Sequence, residues 1–193
     1  SDHAEASALV ALGLHALQHR GQEGCGIVSF DGTNFHSEKR QGLVGDHFTD
    51  PAVIKKLPGQ SAIGHNRYST SGEVSLRNIQ PFFADLYSSG VSLAHNGNLT
   101  NADELMALLL SSDVRHINTD SDSEALLNVF AHELLSQAKV QPSADDIFDA
   151  VGRVHARCRG AYAVVGMIAS YGMVAFRDPF GIRPLIYGQR ETS

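Results

Sequence analysis

Tryptophan is absent from the chain, and cysteine occurs only at Cys25 and Cys158. The first absence removes any indole platform for a sugar or a base. The second excludes a disulfide framework and a cysteine-built metal cluster, and makes the cytoplasm the expected compartment. No apolar run reaches the roughly 18 residues of a membrane helix, and the amino terminus lacks the basic-then-apolar order of a signal peptide. Positive charge is scarce as well: 15 Lys and Arg against 21 Asp and Glu give a formal charge of −6. A nucleic-acid partner calls for a basic footprint and an anionic membrane for a polybasic one, so neither is expected. No G-x-G-x-x-G run follows a strand and no G-x-x-x-x-G-K-[ST] exists, which leaves a nucleotide-binding module without its mark.

What is present fits one folded domain across residues 1–193. With 42% apolar residues the chain can bury a full core. Ala4 to His19 reads as a helix, with Leu9, Leu12, Ala16 and Leu17 on its buried stripe. Gly24 to Phe30 and Phe35 to Lys39 read as a hairpin around the Asp31-Gly32 turn. Ser61 to His65 and Val91 to His95 read as short strands, each ending on a histidine that opens a polar signature. Three capping-box spacings follow, Asn101 with Glu104, Ser121 with Glu124 and Ser143 with Asp146, each ahead of an apolar helix face. Ala161 to Ala169 reads as a strand covered on both faces, and Gly172 to Phe176 and Ile182 to Tyr187 as two more, joined by Arg177-Asp178-Pro179-Phe180-Gly181. This order predicts α+β architecture, a stacked pair of antiparallel sheets with helices outside.

The polar signatures carry the chemistry, and each has two readings. Asn96-Gly97 is an ordinary turn, or a pair of donors aimed at an oxyanion: the amide from Asn96 and a backbone N–H that Gly97 lets approach. Arg67 is half of a structural ion pair, or a fork for a substrate carboxylate, and Arg20 has the same two readings. Asp122 is a first-turn helix acid, or the acceptor of a substrate ammonium, with Asp120 competing for that role. His15, His19, His65 and His95 lack the H-E-x-x-H pattern and read as structural histidines. Cys25 and Cys158 read as small buried hydrophobes.

Six segments occur in order: Leu17-Gln18-His19-Arg20-Gly21-Gln22-Glu23-Gly24, Gly64-His65-Asn66-Arg67-Tyr68-Ser69-Thr70, Leu93-Ala94-His95-Asn96-Gly97-Asn98-Leu99, Ser121-Asp122-Ser123-Glu124, Arg159-Gly160-Ala161-Tyr162, and Phe176-Arg177-Asp178-Pro179-Phe180-Gly181-Ile182-Arg183-Pro184-Leu185. Together they resemble the glutaminase domain of amidophosphoribosyltransferases, the first enzymes of purine synthesis, from about Ala8 to Arg190. The resemblance implies an N-terminal-nucleophile hydrolase fold, an αββα sandwich. It implies hydrolysis of glutamine to glutamate and ammonia, and transfer of the ammonia to phosphoribosyl pyrophosphate by a phosphoribosyltransferase domain after residue 193. Arg67 and Asp122 would hold the α-groups of glutamine, Arg20, Gly21 and Thr70 would line the pocket, and Asn96 and Gly97 would be the oxyanion donors. No cofactor is implied in this domain; Mg²⁺ belongs with the transferase domain, and the full-length form is expected to be a homo-oligomer. Tyr68 and Ser71 stand where the hexosamine-synthesising relative has tryptophan and histidine, and asparagine synthetase and glutamate synthase are less similar at Arg177 to Leu185.

One departure is plain. The family opens on a Cys-Gly pair whose cysteine is the nucleophile, and this chain opens Ser1-Asp2-His3. The expectation is therefore a domain without its first strand and its nucleophile, catalytically incomplete by itself and prone to self-association along unpaired strand edges. Ser1 does not replace the cysteine, because no strand carries it toward Asn96. A non-catalytic interaction domain, or the glutaminase domain of another amidotransferase, are the alternatives.

Overall fold

The computed structural model describes residues 6–68, 76–86, 89–137, 139 and 142–189. Helix α1 (Ala6–Ala16) and a 3₁₀ turn (Gln18–Arg20) lead into the hairpin of β1 (Gly24–Phe30) and β2 (Phe35–Gln41). Two short helices, α2 (Val44–His47) and α3 (Pro51–Ile54), precede β3 (Ser61–Arg67). After a 3₁₀ turn (Leu76–Asn78) come β4 (Phe82–Asp85) and β5 (Gly90–Leu99). Three helices follow, α4 (Ala102–Ser111), α5 (Asp122–Leu135) and α6 (Ala144–Arg157), and then β6 (Gly160–Ile168) and β7 (Gly172–Arg177).

The strands form two antiparallel sheets, in order β2-β1-β3 and β4-β5-β6-β7. Strand β1 is buried on both faces, and its side chains divide by parity. Cys25 and Ile27 pack under α1 with Leu14, Val44 and Leu57, whereas Val28 faces the other sheet with Ile63 and Met167. On the far side, α5 and α6 cover the second sheet, with Leu126, Phe130 and Val154 in one core with Tyr162 of β6. The layers run helix, sheet, sheet, helix, the N-terminal-nucleophile hydrolase arrangement.

Four expectations need correction. On α1 the buried residues are Ser7, Ala11 and Leu14, while Leu9 and Leu12 are exposed, as is Leu17 just past its end. The helix docks by its small face because β3 presents Gly64 there; a Cβ on Gly64 would lie 2.6 Å from Val10 Cγ1 and 2.8 Å from Leu14 Cδ1. Strands β3 and β5 do not stop at their histidines; His65-Asn66-Arg67 lies within β3, and β5 runs on to Leu99. Only the third capping box forms, at Ser143 and Asp146. Asn101 instead donates to Arg157 O at 2.9 Å and accepts from Arg159 N at 2.9 Å, while Ser121 caps Ser123 N and leaves Glu124 free for another role. Finally, residues 182–187 are not a strand. Their apolar alternation finds no partner strand among the described residues, and Ile186 and Tyr187 are exposed.

Candidate functional site

A cavity of about 810 Å³ opens where the ends of β3 and β5 meet the start of α5. Arg20, Arg67, Asn96, Gly97 and Asp122 all line it. Gly21 stands just behind the wall: a Cβ there would lie 2.5 Å from the Arg67 carbonyl carbon, so only glycine lets the Gln18–Arg20 turn lie on β3. Thr70 lies outside the described residues.

Strand β5 supplies the Asn96-Gly97 pair. Gly97 has φ +153°, and a Cβ at this position would come within 2.0 Å of Ala161 O on β6. No L side chain fits, and the backbone is left bare toward the cavity. Asp122 is the first residue of α5, behind its N-cap Ser121. Its Oδ2 accepts from Leu99 N at 2.9 Å, and Oδ1 lies 4.0 Å from His95 Nδ1. That imidazole is almost wholly buried and shares a 2.9 Å hydrogen bond with Ser123 Oγ. Burial pushes its pKa down, against the pull of Asp122 and with the push of Arg183. Kept neutral, His95 does not cancel the charge of Asp122. His65 is likewise held neutral, its pKa lowered to about 4 by burial and by the neighbouring His95 and Arg67.

Arg67 donates through Nη1 to Asn78 O, and Asn78 Nδ2 donates to Asp120 Oδ1 at 3.2 Å, so the guanidinium and the acidic end of the site share one brace. Gln80 joins the two sheets beneath the cavity. Its side chain accepts from His95 N at 2.7 Å and donates to His95 O at 3.1 Å. Its own carbonyl oxygen lies where a Cβ on Gly26 would come within 2.2 Å.

Several residues of the site escaped the sequence patterns. Glu124 is spaced like a capping-box acid, yet its carboxylate accepts from Asn118 N (2.9 Å), Asn118 Nδ2 (3.1 Å), Thr119 N (2.7 Å) and Thr119 Oγ1 (2.6 Å). It fixes the loop that delivers Asp120. Asn66, His95 and Arg183 are also on the wall. Buried polar groups normally find partners. Among the described residues nine buried side-chain polar atoms lack one, and five of these, His65 Nδ1, Asn66 Oδ1, Arg67 Nε, His95 Nε2 and Arg183 Nε, belong to cavity residues. That concentration marks the cavity as built for a polar occupant. Its charges are of both signs, Arg20, Arg67 and Arg183 against Asp120 and Asp122, which suits a zwitterion. Among the described residues no group of three or more His, Cys, Asp or Glu is placed to hold a metal ion, and no helix is long and apolar enough to cross a membrane.

The glutamine amidotransferase domain family matches residues 65–193, and the chain belongs to that family. Its similarity runs more narrowly toward amidophosphoribosyltransferases. That of Pseudomonas aeruginosa is 51% identical over 179 residues, covering 93% of this chain and 35% of the relative. That of Escherichia coli is 50% identical over 179 residues, covering 92% and 35%; that of Saccharomyces cerevisiae is 44% identical over 177 residues, covering 91% and 34%. Among solved structures, the glutamine phosphoribosylpyrophosphate amidotransferase of B. subtilis, complexed with ADP and GMP, superposes with a TM-score of 0.76 at 35% identity, over 94% of this chain and 37% of its own. The chain spans about a third of the length of these curated relatives.

Proposed function

We propose that this chain is the glutaminase part of an amidophosphoribosyltransferase, hydrolysing glutamine to glutamate and ammonia for transfer to phosphoribosyl pyrophosphate in purine synthesis. Arg67, with Arg20 near it, takes the α-carboxylate of glutamine, and Asp122 takes its α-ammonium. Asn96 Nδ2 and the backbone N–H of Gly97 receive the oxygen of the side-chain amide as negative charge builds on it. Gly21 shapes the turn that carries Arg20, and Thr70 is assigned to glutamine binding as the family resemblance implies. The observation that carries this reading is the single cavity on which Arg67, Asp122 and the Asn96-Gly97 pair converge.

Neither cysteine of the chain suits the nucleophile's part. Cys25 is fully buried with its pKa pushed up by burial to about 11, and Cys158 is buried with its pKa pushed up to about 12. A thiolate is the attacking species, and these thiols stay protonated. The nucleophile in this reading is the amino-terminal cysteine of the family, a part that neither Cys25 nor Cys158 takes over. The domain's partner is a phosphoribosyltransferase domain of the same protein, with Mg²⁺ bound there, in a cytoplasmic homo-oligomer.

The test is ammonia release from glutamine by the full-length protein, with Arg67→Ala alongside the parent. Hydrolysis by the parent and at least about a tenfold rise in KM for the variant are expected. A full-length protein that neither binds nor hydrolyses glutamine overturns the reading in favour of a non-catalytic domain.

A further inference from the structure

Arg183 is a third arginine on the cavity wall, contributed by the segment after β7. Among the described residues its guanidinium has no hydrogen bond or ion pair, and Nε is buried. Nε is the buried end of a half-buried guanidinium, and the group stands free to receive an acceptor that enters the cavity.

Its backbone, by contrast, is tightly fixed. Asp178, only 2% exposed, accepts from the backbone N–H groups of Tyr162 (3.3 Å), Phe180 (3.1 Å), Ile182 (3.0 Å) and Arg183 (3.1 Å). The Asp178 N–H returns a bond to Tyr162 O at 2.8 Å. Tyr162 is the β6 residue paired with Gly97 on β5. The turn that carries Arg183 is therefore fastened directly across the ladder from Gly97. Arg67 enters from the other sheet, through β3. The cation also repels a proton from His95, the residue before Asn96.

We infer that Arg183 contacts the amide end of glutamine and stabilises the negative charge that develops there, as a catalytic residue beyond the Asn96-Gly97 pair. The inference rests on the glutamine reading of the cavity. When the cysteine thiolate adds to the side-chain carbonyl carbon, a carbon–sulfur bond forms and the π pair of C=O moves to oxygen. Arg183 meets that oxygen's charge. The proton given up by the thiol passes through the cysteine's own α-amine to the amide nitrogen, and collapse re-forms C=O, breaks the carbon–nitrogen bond and releases ammonia. Water then displaces the sulfur to give glutamate.

The experiment compares Arg183→Gln, Arg183→Lys and Arg67→Ala in the full-length protein by steady-state glutamine hydrolysis. Arg183→Gln is expected to lower kcat about 100-fold while KM for glutamine stays within about threefold. Arg183→Lys keeps the charge without the fork and is expected to recover part of the loss. An unchanged kcat for Arg183→Gln, or a loss confined to KM, overturns the inference. If Arg183→Gln does not fold, Arg183→Met, which keeps the packing of the stem, is read by the same criteria. Failure of the glutamine reading itself is seen separately, as an Arg67→Ala variant whose KM does not change.

Discussion

Asp122 Oδ2 accepts the backbone N–H of Leu99 at 2.9 Å, joining the first residue of α5 to the last residue of β5. One carboxylate thus has two tasks, closing the end of a strand and presenting charge to the cavity. The tasks separate by substitution. Asp122→Asn keeps a carbonyl acceptor for Leu99 but loses the charge. It is expected to fold normally and to weaken glutamine binding by about 2 kcal/mol, roughly thirtyfold, in calorimetry on the full-length protein. Asp122→Ala loses both, and its urea midpoint is expected to fall with about 1–3 kcal/mol of stability.

Gly97→Ala tests the bare backbone of β5. The φ of +153° and the 2.0 Å approach to Ala161 O leave no room for a methyl group. A loss of at least about 1–3 kcal/mol is expected in chemical unfolding, together with lost glutaminase activity. A variant as stable as the parent means that β5 does not take this path.

Acid stability follows from His65. Its pKa is lowered from 6.5 to about 4 in the folded protein, so below pH 6.5 the unfolded chain binds a proton that the folded chain refuses. The stability tied to the neutral ring is full above pH 6.5 and drains away as pH falls toward 4, by up to about 3 kcal/mol. Unfolding free energies at pH 7 and pH 5 should differ accordingly, and His65→Gln should flatten the difference. An equal slope in parent and variant contradicts the assignment.

Cys25 and Cys158 should resist thiol reagents. Both are buried, with pKa values raised to about 11 and about 12. At pH 8 the native chain is expected to react no faster than it opens, and both thiols should react at once in urea. Rapid labelling of either native thiol shows that its burial is wrong.

Where local chemistry decided the outcome, the sequence was a sufficient guide. The Asp31-Gly32 hairpin could be read because Asp31 catches Thr33 N (2.8 Å) and Asn34 N (2.7 Å) and Gly32 takes φ +100°. The Ser143 capping box is equally local. The face of α1 was not legible, since its leucines formed the stronger periodic pattern while docking was decided by Gly64, some fifty residues away. Glu124 has the spacing of a cap and the job of a loop anchor; spacing cannot tell these apart. Arg183 looked like one residue of an alternating strand. Its place on the cavity wall depends on Asp178 gathering four N–H groups, one of them from β6, a tertiary arrangement that no window of sequence displays.

Gln80 grips both the N–H and the carbonyl of His95 with one side chain while its own main chain presses on Gly26. Both bonds tie the Gln80 turn to β5, while its carbonyl oxygen sits against Gly26 of β1, so the residue is wedged between the two sheets. The width of the gap a guest molecule enters is thereby tied to the length of a single amide side chain, and shortening it by one methylene, as in Gln80→Asn, should be felt at every wall of the chamber together.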